Sequence, residues 1–138
     1  MRIVIDTNVL VSGMLTTFGV CGEIVRMLTS NNIALCVDSR MLFEYEDVLR
    51  RPHFQIEHSM IDIVLEYIEN TSETHSTMPL SESLPDPDDN QFLEVAISAN
   101  ADCLVTGNLK HFPSRLRCGV AVLSPREFLD AMSKRRTR

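Results

Sequence analysis

The chain alternates short, wholly apolar runs with longer stretches whose apolar residues recur at helical spacing. Ile3-Val4-Ile5, Ile33-Ala34-Leu35-Cys36-Val37, Cys103-Leu104-Val105 and Gly119-Val120-Ala121-Val122-Leu123 lack the apolar–polar alternation of a half-exposed sheet. Such runs predict strands buried on both faces. Ile24, Val25, Met27 and Leu28 predict a helix closed by Ser30-Asn31-Asn32. Asp38-Ser39 can cap a helix over 40–51 that stops before Pro52. Ser59-Met60-Ile61-Asp62 reads as a capping box opening a helix to about Asn70, with Ile61, Val64, Leu65 and Ile68 at helical spacing. The polar stretch 71–88 predicts loop with a short strand near 74–78, and residues 89–100 return to helix. Ser124-Pro125-Arg126-Glu127 is a helix start, with Ser as cap, Pro in the first position and Glu three residues after the cap.

Strands and helices in alternation predict an α/β fold, with a parallel sheet covered on both faces. Neither an internal repeat nor a second domain is visible. The expected division is a domain over 1–130 and a basic C-terminal tail over 131–138. Right-handed crossovers bring the carboxyl ends of all the strands to one edge, where open parallel sheets bind their ligands.

That placement gives the polar strand ends their interest. Ile3-Val4-Ile5 ends in Asp6-Thr7-Asn8, and Cys103-Leu104-Val105 ends in Thr106-Gly107-Asn108. Asp6 is a carboxylate delivered to the binding edge by a rigid strand; equally, Asp6 or Asn8 could simply cap the next turn or helix. In the helix 40–51, Met41, Leu42, Tyr45, Val48 and Leu49 form the apolar stripe, and Glu44 and Glu46 flank it on opposite sides. Periodicity does not choose between them. In the helix from residue 89, Phe92, Leu93, Ala96 and Ile97 form the inward face, Asp89 lies in line with it, and Glu94 points outward. A carboxylate on a buried stripe must be capped, paired or bound to a cation. The alternative role, an acid at a helix start, suits Asp86 and Asp88 better than Asp89.

Composition narrows the chemistry. No run approaches the ~18 apolar residues of a membrane span, and the N-terminus enters a strand without a leader-like segment, so the expected setting is cytoplasmic, away from membranes. None of the four cysteines forms a C-x-x-C pair, and His53, His58, His75 and His111 are scattered. Spacing therefore indicates no zinc site; Cys36 and Cys103 read as core thiols and the histidines as surface or loop residues. Residues 1–100 carry a net charge of −11 and residues 101–138 a net of +5. An acidic body with a basic segment can hold a cation in one region and phosphates in another. Carboxylates converging without His or Cys suit a hard ion such as Mg²⁺ or Mn²⁺. Such an ion activates water and offsets charge in phosphodiester hydrolysis.

Taken together, three segments resemble the PIN-domain family, in particular its VapC-like toxin branch. They are Ile3–Ser12, Glu44–Pro52, and Asp86-Pro87-Asp88-Asp89-Asn90-Gln91-Phe92-Leu93 leading to Ala101–Asn108. The resemblance implies a three-layer α/β sandwich with a central parallel sheet of about five strands and an acidic pocket binding Mg²⁺ or Mn²⁺. It makes Asp6, Glu44 and Asp89 the catalytic metal ligands, with Asp86 the rival for the third place. It makes Thr7, Asn8, Thr106 and Asn108 the groups that orient water or ligands. Asn108 departs from the commonest pattern, which has Asp there. The implied activity is RNA cleavage leaving 5′-phosphate and 3′-hydroxyl ends, with a cognate antitoxin and a homodimer as partners. Candidates for phosphate contact are Lys110 and His111, directly after the strand end, then Arg50 and Arg51, and more distantly Arg115 and Arg117. The alternative function is a PIN-like module that binds RNA or protein through a weakened metal site. A phosphotransfer enzyme or receiver domain fits less well, because a haloacid-dehalogenase-like site needs Asp where Asn8 stands.

Overall fold

The computed structural model describes residues 1–29 and 33–136. Five parallel strands form one sheet: β1 (Arg2–Ile5), β2 (Ala34–Val37), β3 (Glu73–Thr74), β4 (Cys103–Val105) and β5 (Val122–Leu123). Their order is β3-β2-β1-β4-β5. The register pairs Ile3 with Leu35 and with Cys103, and Leu104 with Val122. The helices are α1 (Thr7–Leu15), α2 (Val20–Leu28), α3 (Ser39–Leu49), α4 (His58–Thr71), α5 (Asn90–Ser98) and α6 (Pro125–Arg136). This is the expected three-layer sandwich. Right-handed crossovers place α1–α4 on one face and α5 on the other.

The three central strands carry the core. Ile3, Val4, Ile5, Cys36, Val37, Leu104 and Val105 are fully buried, as their apolar runs predict. With strand order running outward from β1 in both directions, the ends of β1, β2, β4 and β5 open on the same edge, at Asp6, Asp38, Thr106 and Ser124.

Chain chemistry sets most element boundaries. The Asp38 side chain accepts the amide of Met41 at 3.0 Å and starts α3. Ser124 and Glu127 exchange bonds of 2.8 and 3.1 Å, closing the capping box of α6. Asn100, at φ 50°, occupies the left-handed position that ends α5. Helices α1 and α2 cross at 104°. Gly13 and Gly22 permit that approach: a Cβ on Gly13 would sit 2.7 Å from the Cys21 carbonyl oxygen, and one on Gly22 would overlap the Thr17 carbonyl.

Several expectations change. Residues 7–15 form a full helix beginning immediately after Asp6, where the sequence left turn and helix both open. The proposed capping box at Ser59 does not form: α4 begins at His58, and Asp62 pairs with Arg50 instead. The strand expected near 74–78 is Glu73–Thr74 and is polar, because it lies at the sheet edge. Residues 87–89 form a 3₁₀ turn before α5. Helix α6 continues through residues 131–136, part of the expected tail. The helix stop at 30–32 and the end of the tail at 137–138 lie outside the described residues.

Candidate active site

Asp6 leaves the sheet at the end of β1, its amide bonded to the Val105 carbonyl at 2.9 Å. It is buried, and its Oδ2 accepts the Thr106 hydroxyl at 2.8 Å. Thr106 is itself fully buried, and its Oγ1 accepts the Asn108 amide at 3.1 Å. Burial pushes the Asp6 carboxyl above its ordinary range, while the Thr106 hydroxyl and the amides of Asn8 and Thr7 pull it back.

Thr7, the first residue of α1, is also buried, and its hydroxyl donates to Oε2 of Glu44. The other Glu44 oxygen accepts Nε2 of Gln91 at 3.1 Å. Glu44 thus lies with Thr7 and Gln91, whereas Glu46 faces solvent and pairs with Arg50 at 3.0 Å. Beneath this layer Tyr45 is completely buried and donates to the Ile5 carbonyl at 2.6 Å, locking α3 to the end of β1. Burial, then the negative charge of Asp6 and Glu44, raises its phenol well above the usual range.

Asp89 approaches from the turn before α5. It is buried, and its carboxyl is pushed up to about 6, first by burial and then by the charge of Asp6, with His111 opposing. Its Oδ2 lies 3.1 Å from Nδ1 of His111, yet the ring is not aligned to donate, and this buried oxygen has no hydrogen-bond partner. The other His111 nitrogen, Nε2, is 2.9 Å from Nδ2 of Asn108. Asn108 therefore turns its amide to His111. Asp86, the rival third acid, is exposed and caps its own turn by accepting the Asp88 amide at 2.9 Å. Asn8 is exposed and contributes its backbone to Asp6.

The structure also corrects the outward assignment of Glu94. Glu94 is buried, and Ile97, assigned inward, is 40% exposed. Val95 takes the buried place on α5. Glu94 bonds Arg40 at 2.8 Å and accepts the Leu80 amide at 3.1 Å, so the helix can bury it. Arg40 also grips Asp38 at 2.7 Å. Neither Arg40 nor Gln91 was identified from sequence. Gln91 was discoverable in principle, since it lies two residues past Asp89 in the first turn of α5.

Of the basic candidates, Lys110 is exposed beside the pocket and His111 borders Asp89. Arg50 is taken up by Glu46 and Asp62, and Arg51 lies 3.4 Å from Asp47. Arg51 nonetheless lines an open groove of about 530 Å³ that runs along α3 past Arg40 to Glu44 and Gln91. Arg115 pairs with Glu82, and Arg117 bonds the Phe112 carbonyl.

The donor set suits a hard cation: Asp6, Glu44 and Asp89 offer only oxygen, and a buried Asp89 oxygen is unsatisfied. Among the described residues, their oxygens do not all fall within direct reach of one ion. Mg²⁺, which retains several waters and takes one or two carboxylates, fits such spacing.

The profile of the PIN domain matches residues 2–110. No curated protein matches the chain in sequence. Among solved structures, FitAcB from Neisseria gonorrhoeae is similar with a TM-score of 0.57 and 14% identity, over 90% of this chain and 98% of that one. At that identity the likeness speaks for the fold alone. With the profile spanning the strand ends at Asp6 and Thr106 as well as Glu44 and Asp89, the chain belongs to the PIN domain family.

Proposed function

We propose that the protein is an endoribonuclease that requires Mg²⁺ or Mn²⁺, and that it is the toxin of a toxin–antitoxin pair. The observation that carries this reading is the buried acid pair with its unsatisfied Asp89 oxygen. Asp6 and Asp89 are both buried, the charge of Asp6 raises the Asp89 carboxyl, and the counter-charge beside them is the imidazole of His111. Buried carboxylates whose charge is only partly offset are costly, and a divalent ion removes that cost.

Asp6, Asp89 and Glu44 would hold the ion, in part through the waters it retains. When bound, it supplies Lewis acidity toward phosphate and water. The chain's own groups do the rest. Thr106 fixes the Asp6 carboxylate, while Thr7 and Gln91 fix Glu44. His111, beside Asp89, and the exposed Lys110 offer positive charge to an RNA backbone. The groove along α3, with Arg51 and Arg40 on its walls, gives a strand a path to Glu44. The family resemblance adds products with 5′-phosphate and 3′-hydroxyl ends, an antitoxin partner and a homodimer.

Cleavage of RNA by the purified chain with Mg²⁺ or Mn²⁺, compared with Asp6→Asn, tests the proposal. Cleavage that requires the ion and disappears in the variant supports it. Equal cleavage in both proteins, or none in either, rejects it. The second reading, an RNA- or protein-binding module, draws on Asn108, a neutral side chain already engaged with His111. It predicts RNA binding without cleavage and no metal-dependent rise in melting temperature.

A further inference from the structure

Away from the carboxylate pocket, the parallel pairing of β2 with β3 gathers three side chains of a different character. Cys36 is paired in register with Glu73. His75 follows β3, its amide bonded to the Val37 carbonyl at 3.0 Å. Side chains alternate along a strand, so Cys36, Glu73 and His75 project from one face of the sheet. They converge on a single atom. Oε1 of Glu73 lies 3.2 Å from Nε2 of His75, 3.9 Å from Sγ of Cys36 and 2.8 Å from Nε of Arg2. The Cys, Glu and His ligand atoms all lie within 4.8 Å of one another.

We propose that Cys36, Glu73 and His75 form a second cation site, for a borderline-soft divalent ion of the Zn²⁺ class, with solvent as its remaining ligand. The donors are one sulfur, one nitrogen and one oxygen, a set that favours Zn²⁺ over Mg²⁺. Bonds of about 2.0 Å to N or O and about 2.3 Å to S at tetrahedral angles place ligand atoms roughly 3.3–3.5 Å apart. The His75–Glu73 separation already meets this, and the Cys36–Glu73 separation has to close by a few tenths of an ångström. Cys36 is buried while Glu73 and His75 are partly exposed, so the open ligand position faces solvent.

The exchange that binding requires is explicit. Burial and the Glu73 charge push the Cys36 thiol up to about 11, so the ion-free protein keeps its proton. Coordination forms the metal–sulfur bond, and that proton leaves to solvent. Arg2, half exposed, yields Oε1 to the ion. The bound ion would tie β3 to β2 at the start of the segment that leads to Asp89.

The test titrates the full chain with Co²⁺ as a spectroscopic stand-in, then displaces it with Zn²⁺. The expected result is a thiolate-to-cobalt charge-transfer band saturating at one ion per chain and lost on adding Zn²⁺. The band disappears in Cys36→Ser and in His75→Ala and stays in Asp6→Asn. Because Cys36 is a core position, His75→Ala, with circular dichroism to verify folding, carries the decision. No band in the wild type, or a band that persists in either site variant, overturns the proposal.

Discussion

Two buried acid pairs sit at the same edge of the sheet and are treated in opposite ways. Asp38 and Glu94 share Arg40, at 2.7 and 2.8 Å, and accept the amides of Met41 and Leu80 besides. Asp6 and Asp89 receive a threonine hydroxyl, backbone amides and a misaligned imidazole, and no guanidinium among the described residues. The first pair is satisfied by the fold and ties α3 to α5. The second lacks that guanidinium, and the proposed cation would supply the missing charge. Burial alone does not distinguish the two pairs; the presence or absence of a bonded guanidinium does.

The sharpest way to break this contrast is to neutralise one member of the unsatisfied pair. Asp6→Asn should lower metal-dependent RNA cleavage by at least about a hundredfold, beyond what loss of an outer hydrogen-bond partner costs. In metal-free buffer it should melt no lower than wild type, because it removes a buried charge. A sharp fall in melting temperature with cleavage intact would reverse the two roles.

Next in size is the satisfied pair. Arg40→Ala strands two buried carboxylates and should destabilise the fold by roughly 2–3 kcal/mol in urea unfolding, below the 3–5 kcal/mol of a fully buried pair because Arg40 is half exposed. An unchanged unfolding midpoint would show that the pair is not what holds α3 to α5.

Smaller again is the loss of an orienting group. Gln91→Ala or Thr7→Val frees one side of Glu44 and should reduce cleavage by about 10–100-fold with the melting temperature little changed. Rates equal to wild type would remove Glu44 from the site.

The gentlest probe is pH. The Asp89 carboxyl titrates near 6 in the folded chain, against 3.8 for an unperturbed Asp. Between those values the folded state binds the extra proton, so the Asp89 contribution turns against folding as pH rises from about 4 to about 6. The melting temperature of Asp89→Asn relative to wild type should therefore climb across that window, and saturating Mg²⁺ should flatten the climb. A difference independent of pH would mean that Asp89 carries an ordinary charge.

These acids were unequally visible in the sequence. Asp6 and Thr106 were marked because a β-branched or apolar run ends abruptly at each, and strand ends share an edge in any parallel sheet. Asp89 stood out by lying in line with an apolar stripe. Glu44 could not be told from Glu46 by periodicity, since both flank the stripe of α3; only the hydroxyl of Thr7 and the amide of Gln91 separate them. Glu94 was assigned outward because periodicity cannot show that a residue from a different helix, Arg40, will meet it. The grouping of Cys36, Glu73 and His75 was invisible for a similar reason. It depends on the register between two strands, one of them only two residues long and polar, and not on spacing along the chain.

That shortness reaches beyond the interior. The two outermost strands, β3 and β5, each span two residues, and β3 carries Glu73 beside Arg2. Neither rim offers the long unpaired ladder that invites another chain to add a strand, which also guards against edge-to-edge aggregation. Recognition by other macromolecules must then proceed through helix surfaces and loops. Phe18, Met78 and Phe43, 97%, 79% and 74% exposed, are the most prominent apolar side chains available to it among the described residues.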